Sequence, residues 1–198
     1  MIRILIVLFT IFCAILWTGM ALRCLQCKES GEDCTGSPTD CKYTNDVCTE
    51  AIEHNNVDGD KRPTVLRGCM NSTSKCNKIF TINTGSFQLN SFFNCCATDN
   101  CNSGPIKMPP LNTTKNGLSC SSCVVEGTYE CEEYGSVDCT GDQGNCIQFS
   151  GDATRPGGVE NKYAFAGCTS QKVCDTGYDM LIGSLVGNVE SLSCIAET

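Results

Sequence analysis

The chain has 198 residues, 19 of them cysteine, and 22 acidic against 14 basic side chains give a formal net charge of −8. Cysteine at nearly one residue in ten marks a disulfide scaffold of an oxidising compartment and argues against a reducing cytosol. The acidic balance leaves no basic footprint for nucleic acid and little attraction to anionic lipid.

The chain opens with a short basic start, Met1-Ile2-Arg3, and an apolar run over 4–17 that is short for a bilayer span. Gly19-Met20-Ala21 then offers the small residues that a signal peptidase reads. Residues 1–21 are expected to be a signal peptide, whose removal takes Cys13 with it and leaves an even number of cysteines. The mature protein is expected to be secreted and extracellular, and losing Arg3 makes it one charge more acidic.

Two cysteine series follow. The first begins Cys24-x2-Cys27 and ends Cys95-Cys96-x4-Cys101-Asn102, with gaps of 2, 6, 6, 6, 20, 6, 18, 0 and 4 residues. The second, from Cys120 to Cys194, has gaps of 2, 7, 7, 6, 21, 5 and 19. Seven gaps agree in order to within one residue, so one disulfide module is written twice. A module of this size buries too little apolar surface to fold unaided, and bridges worth roughly 2–4 kcal/mol each make up the difference.

In the first module (22–102) residues 47–52 and 64–67 are β-prone and flank a polar tip at 53–63 that holds the turn signal Asp58-Gly59. Residues 78–81 and 91–94 flank a second tip around Thr84-Gly85-Ser86. Ile79, Phe80, Ile82, Phe87, Leu89, Phe92 and Phe93 gather in that hairpin as strand-packing residues, with an exposed contact patch as the alternative. Residues 103–117 form a linker with Pro105, Pro109 and Pro110 and no hydrophobic periodicity. It carries the glycosylation sequon at Asn112; the other is at Asn71. The second module (118–198) repeats the hairpin, with strands at 146–150 and 162–166 around a tip at 152–160 that contains Arg155-Pro156-Gly157-Gly158. After Cys174 the apolar residues are interrupted by Gly183 and Gly187, unlike the unbroken tail of a lipid-anchor signal, so no membrane anchor is expected.

Catalysis needs a nucleophile and a base held together. The chain has one histidine, His54, which falls within the polar tip of the first module, so the protein is expected not to be an enzyme. The two Cys-x2-Cys pairs suit zinc or redox chemistry only with free thiols in a reducing compartment, so no metal and no cofactor are expected. Binding remains, through loops displayed on a stapled base. The candidate tips are 54–62, 83–88 and 152–160, with His54, Asp58, Lys61, Arg62, Phe87 and Arg155 as contact residues.

The cysteine order and the closing Cys95-Cys96-x4-Cys101-Asn102 closely resemble the three-finger family of lymphocyte antigen-six and urokinase-receptor modules and snake α-neurotoxins. The resemblance implies an all-β, small disulfide-rich class with two tandem three-finger domains. It implies the bridges Cys24–Cys48, Cys27–Cys34, Cys41–Cys69, Cys76–Cys95 and Cys96–Cys101, then Cys120–Cys146, Cys123–Cys131, Cys139–Cys168 and Cys174–Cys194. The second module departs from the pattern by lacking the final Cys-Cys-x4-Cys-Asn, so its C-terminal tail is expected to be looser.

Two modules without a third resemble γ-type phospholipase A2 inhibitors. They resemble still more the amphibian sodefrin precursor-like factors, courtship pheromones, through GDATRPG (151–157), YAFAGC (163–168) and CDTGYDMLIGSLV (174–186). The expected function is therefore a pheromone-like ligand that binds a receptor through its finger loops; the alternative is stoichiometric inhibition of a secreted phospholipase A2. Either way the expected partner is a protein, not nucleic acid, and a homo-oligomer is a further option.

Overall fold

The computed structural model describes residues 21–196; the proposed signal peptide lies almost wholly outside them. The first module forms β1 (Arg23–Ser30), β2 (Ser37–Asp40), β3 (Val47–Val57), β4 (Asp60–Met70), β5 (Lys78–Asn83) and β6 (Phe87–Cys96). The second forms β7 (Lys115–Glu126), β8 (Gly135–Thr140), β9 (Asn145–Thr154), β10 (Glu160–Thr169), a one-turn helix α1 (Gln171–Thr176) and β11 (Leu185–Ala196). All strand pairs are antiparallel. Nine disulfides staple the described chain: 24–48, 27–34, 41–69, 76–95 and 96–101 in the first module, and 120–146, 123–131, 139–168 and 174–194 in the second.

The modules do not sit apart like beads on a string. One sheet runs through both in the order β11-β9-β10-β5-β6-β3-β4-β1-β2, with β7 beside β10 and β8 beside β7. The junction is β5 against β10, with Asn83 opposite Cys168 and Ile82 opposite Thr169. The largest hydrophobic cluster is likewise shared. Ala51, Phe80, Ile82, Phe87, Leu89 and Phe93 come from the first module, and Ile147, Val173, Met180 and Ile182 from the second. The hairpin apolars Phe80, Ile82, Phe87, Leu89 and Phe93 are therefore buried packing residues.

Two expectations need correcting. The tip at 53–63 shrinks to the two-residue turn Asp58-Gly59, because β3 and β4 stay paired from Val47–Met70 out to Val57–Asp60. Asp58 and Gly59 both take positive φ (48° and 88°), as a tight hairpin turn that follows the sheet twist demands. His54 is consequently mid-strand, not on a tip. Within the linker, Ile106 is buried against Cys34, Ile52 and Val65, and the Gly104 carbonyl accepts a bond from the buried Arg67 guanidinium (2.7 Å). The tail is not loose. β11 pairs with β9 from Leu185–Thr154 to Ala196–Asn145, with two register shifts.

Candidate binding site at the seam of the two modules

Side chains on a strand alternate faces. On β3, Ala51, Glu53, Asn55 and Val57 face the second module, while Ile52 packs into the smaller cluster on the opposite side. Glu53 has no solvent exposure. Its Oε2 accepts the backbone N–H groups of Ile182 (2.6 Å) and Gly183 (3.1 Å), and its Oε1 accepts the amide (3.0 Å) and the hydroxyl (2.6 Å) of Ser184. A buried carboxylate is tolerable only when its lone pairs are satisfied, and here three consecutive residues of the other module satisfy them. Gly183 lies so close to Thr64 that a Cβ there would collide with its side chain, and a Cβ on Gly167 would collide with the Asn83 carbonyl.

Further bonds cross the same seam. Asn55 Nδ2 donates to the Ser184 hydroxyl (3.0 Å), and Thr169 Oγ1 donates to the Thr81 carbonyl (3.0 Å). Arg155 donates to Asn55 Oδ1 (2.9 Å), Asp60 Oδ2 (3.2 Å) and the Asp60 carbonyl (3.0 Å). Arg62 reaches the Pro156 carbonyl (3.1 Å) and Lys75 the Asp179 carbonyl (2.8 Å). Between these contacts the modules enclose an open cavity of about 260 Å³, walled by Val57, Leu89, Val124, Phe149, Phe165 and Val186 among others.

Of the contact residues expected from the sequence, the fold brings Asp58, Phe87 and Arg155 together on the wall of this cavity and leaves His54, Lys61 and Arg62 off it. Phe87 is buried, its ring 5.3 Å from that of Phe165. Arg62 and Arg155 bond across the seam, Asp58 is exposed at the rim of its cavity, and Lys61 is exposed at the end of the first module's central hairpin. The sequon residues Asn71 and Asn112 are exposed, open to a sugar. His54 stands opposite Pro63 and Asn90, with Nε2 4.0 Å from Glu32. Burial lowers its pKa, Glu32 partly opposes this, and Lys61 adds to it. The unfolded histidine titrates near 6.5, so below that pH the unfolded chain binds more protons than the folded one. Stability should therefore fall as pH drops through and below 6.5, and His54→Gln should flatten that part of a urea-midpoint profile; an unchanged slope would assign the dependence elsewhere.

The sulfurs of Cys24, Cys41 and Cys69 cluster, as do those of Cys120, Cys139 and Cys168, but every one is in a disulfide and offers no thiolate to a metal. No helix of the described residues is long and apolar enough to cross a membrane.

A model of the u-PAR/Ly-6 domain matches residues 20–104 and again 116–197. The chain belongs to the u-PAR/Ly-6 domain family. Among curated proteins it is 29% identical over 164 residues to the bovine (Bos taurus) urokinase plasminogen activator surface receptor, covering 78% of this chain and 47% of that one. It is 27% identical over 153 residues to phospholipase A2 inhibitor CNF of Crotalus durissus terrificus, covering 77% and 76%. It is 28% identical over 153 residues to phospholipase A2 inhibitor LNF1 of Lachesis muta muta, again covering 77% and 76%. This u-PAR/Ly-6 chain thus spans less than half of the receptor and most of each inhibitor. By name these relatives are a receptor and inhibitors, not enzymes.

Sequence reading missed Glu53. Its setting, Ala-Ile-Glu-His-Asn-Asn, looks like the start of a solvated tip. The available signal was alternation, since Ala51, Glu53, Asn55 and Val57 share one face of an extended strand.

Proposed function

We propose that the chain is a secreted, non-enzymatic ligand that binds a protein partner as one rigid two-module body. The observation that carries this reading is the shared sheet and core, which remove independent motion of the modules and so lower the entropy lost on contact. The single histidine has no nucleophile beside it among the described residues, and every described cysteine is in a disulfide, which leaves binding as the chemistry on offer.

Within that reading, inhibition of a secreted phospholipase A2 is supported by the match to two such inhibitors over most of both chains. Titrating purified protein against a basic secreted phospholipase A2 on mixed micelles should give dose-dependent loss of hydrolysis that saturates at a fixed molar ratio. No loss at large molar excess over several such enzymes overturns this reading.

A pheromone-like role rests on the sequence likeness to sodefrin precursor-like factors. The three stretches that carry the likeness to sodefrin precursor-like factors meet at the seam, through Arg155, Gly167 and the Ile182–Ser184 backbone. Transcript confined to a gland of breeding males supports that role, and equal abundance in the liver of both sexes contradicts it.

A further inference from the structure

The cavity at the seam is a second feature, independent of whichever protein is bound. Protein interiors pack about as densely as organic crystals, whereas this open, mainly apolar cavity of about 260 Å³ leaves its wall atoms facing solvent and not packed side chains. A cavity of roughly 150 Å³ lined by Leu, Ile and Phe is already enough to stay dry and hold a benzene-sized guest. This one is larger but open to solvent on one side, and its walls are mainly apolar with polar residues such as Asp58, Glu126 and Tyr163 among them. Phe149 and Phe165 stack at 5.0 Å on the second-module wall, and Val57 and Leu89 face in from the first.

The charges around it are unsuited to an anionic guest. Arg155, the cation of the lining, is already bound to Asn55 and Asp60. Of the two lining carboxylates, Glu126 accepts a bond from Asn161 (2.8 Å) and Asp58 is exposed to solvent. Tyr163 has its pKa raised by burial first and then by Glu126, so its phenol is neutral at ordinary pH. An anionic head would find no free cation among the described lining residues and would lose its hydration without return.

We propose that the cavity is a binding site for a small, uncharged, mainly hydrocarbon molecule, taken up between the two modules. Guest binding uses walls from both modules and stabilises their joined form by mass action. It goes beyond the protein-ligand reading and does not depend on it, because the protein could carry a guest whatever receptor or enzyme it meets.

The test uses the full mature chain and the neutral fluorophore N-phenylnaphthylamine. Saturable binding at one site is expected, with displacement by octanol and not by octanoate. Methyl NMR shifts on the wild-type protein should centre on Val57, Leu89, Val124 and Val186. Filling the space with Val186→Trp should weaken binding about tenfold or more, the scale of a misfit in an apolar pocket. Absence of saturable binding, shifts centred on any other surface, or equal displacement by octanoate would overturn the proposal. The wild-type shifts decide the matter even if Val186→Trp does not fold, and none of these readouts involves phospholipase inhibition.

Discussion

Glu53→Ala should cost on the order of 4 kcal/mol, because it strands the buried amides of Ile182 and Ser184, each worth about 1–3 kcal/mol when left unpaired. The loss should be read from the urea midpoint of the disulfide-intact protein. It should come with a change in cooperativity, since the carboxylate is made by one module and its donors by the other. Glu53→Gln keeps one acceptor oxygen and should lose less. Glu32→Ala, on the exposed side of His54, should change little and serves as the control. A loss for Glu53→Ala below about 1 kcal/mol, the net value of one ordinary hydrogen bond, would mean that the four donors find water or that the segment relaxes.

Removing the Cys139–Cys168 bridge with paired alanines should cost about 3–4 kcal/mol, the chain-entropy value for a bridge of this span. The residues are 29 apart and both are fully buried, so alanine avoids stranding a hydroxyl in the core. The consequence should reach the other module. Cys168 sits opposite Asn83, and its neighbour Thr169 donates to the Thr81 carbonyl, so loosening β10 should unprotect the β5 amides. Hydrogen exchange at residues 81–83 measures this. An unchanged midpoint with unchanged exchange would show that the seam is held without that bridge.

The cysteine spacing made the repeated module legible, and its resemblance to the three-finger family implied the fold class. Gaps that repeat in order need a repeated framework, and the strand runs between them alternate as half-buried strands do. The apolar hairpin residues Phe80, Ile82 and Phe93 were legible as packing residues, although what they pack against includes Met180 and Ile182 of the other module. The seam was not legible. Buried polar residues such as Glu53, Asn55 and Thr64 look like surface in a sequence, because what satisfies or covers them comes from Arg155 and from Ile182–Ser184, a hundred or more residues away. Gly183 looked like an interruption of an apolar tail, yet it is the position where the tail's backbone can approach Thr64. Arg155 and Arg62 looked like loop-tip contact residues for the same reason: a charge on a turn reads as solvated until a facing carbonyl or carboxylamide claims it.

The claim that the two modules form one body is tested most directly by residual dipolar couplings of the backbone amides in a weakly aligned sample. A single alignment tensor should fit the couplings of residues 23–103 and 115–196 together, and Glu53→Ala should split it into two. Two tensors of different magnitude in the wild-type protein would contradict the account, and would return the modules to independent heads on a linker.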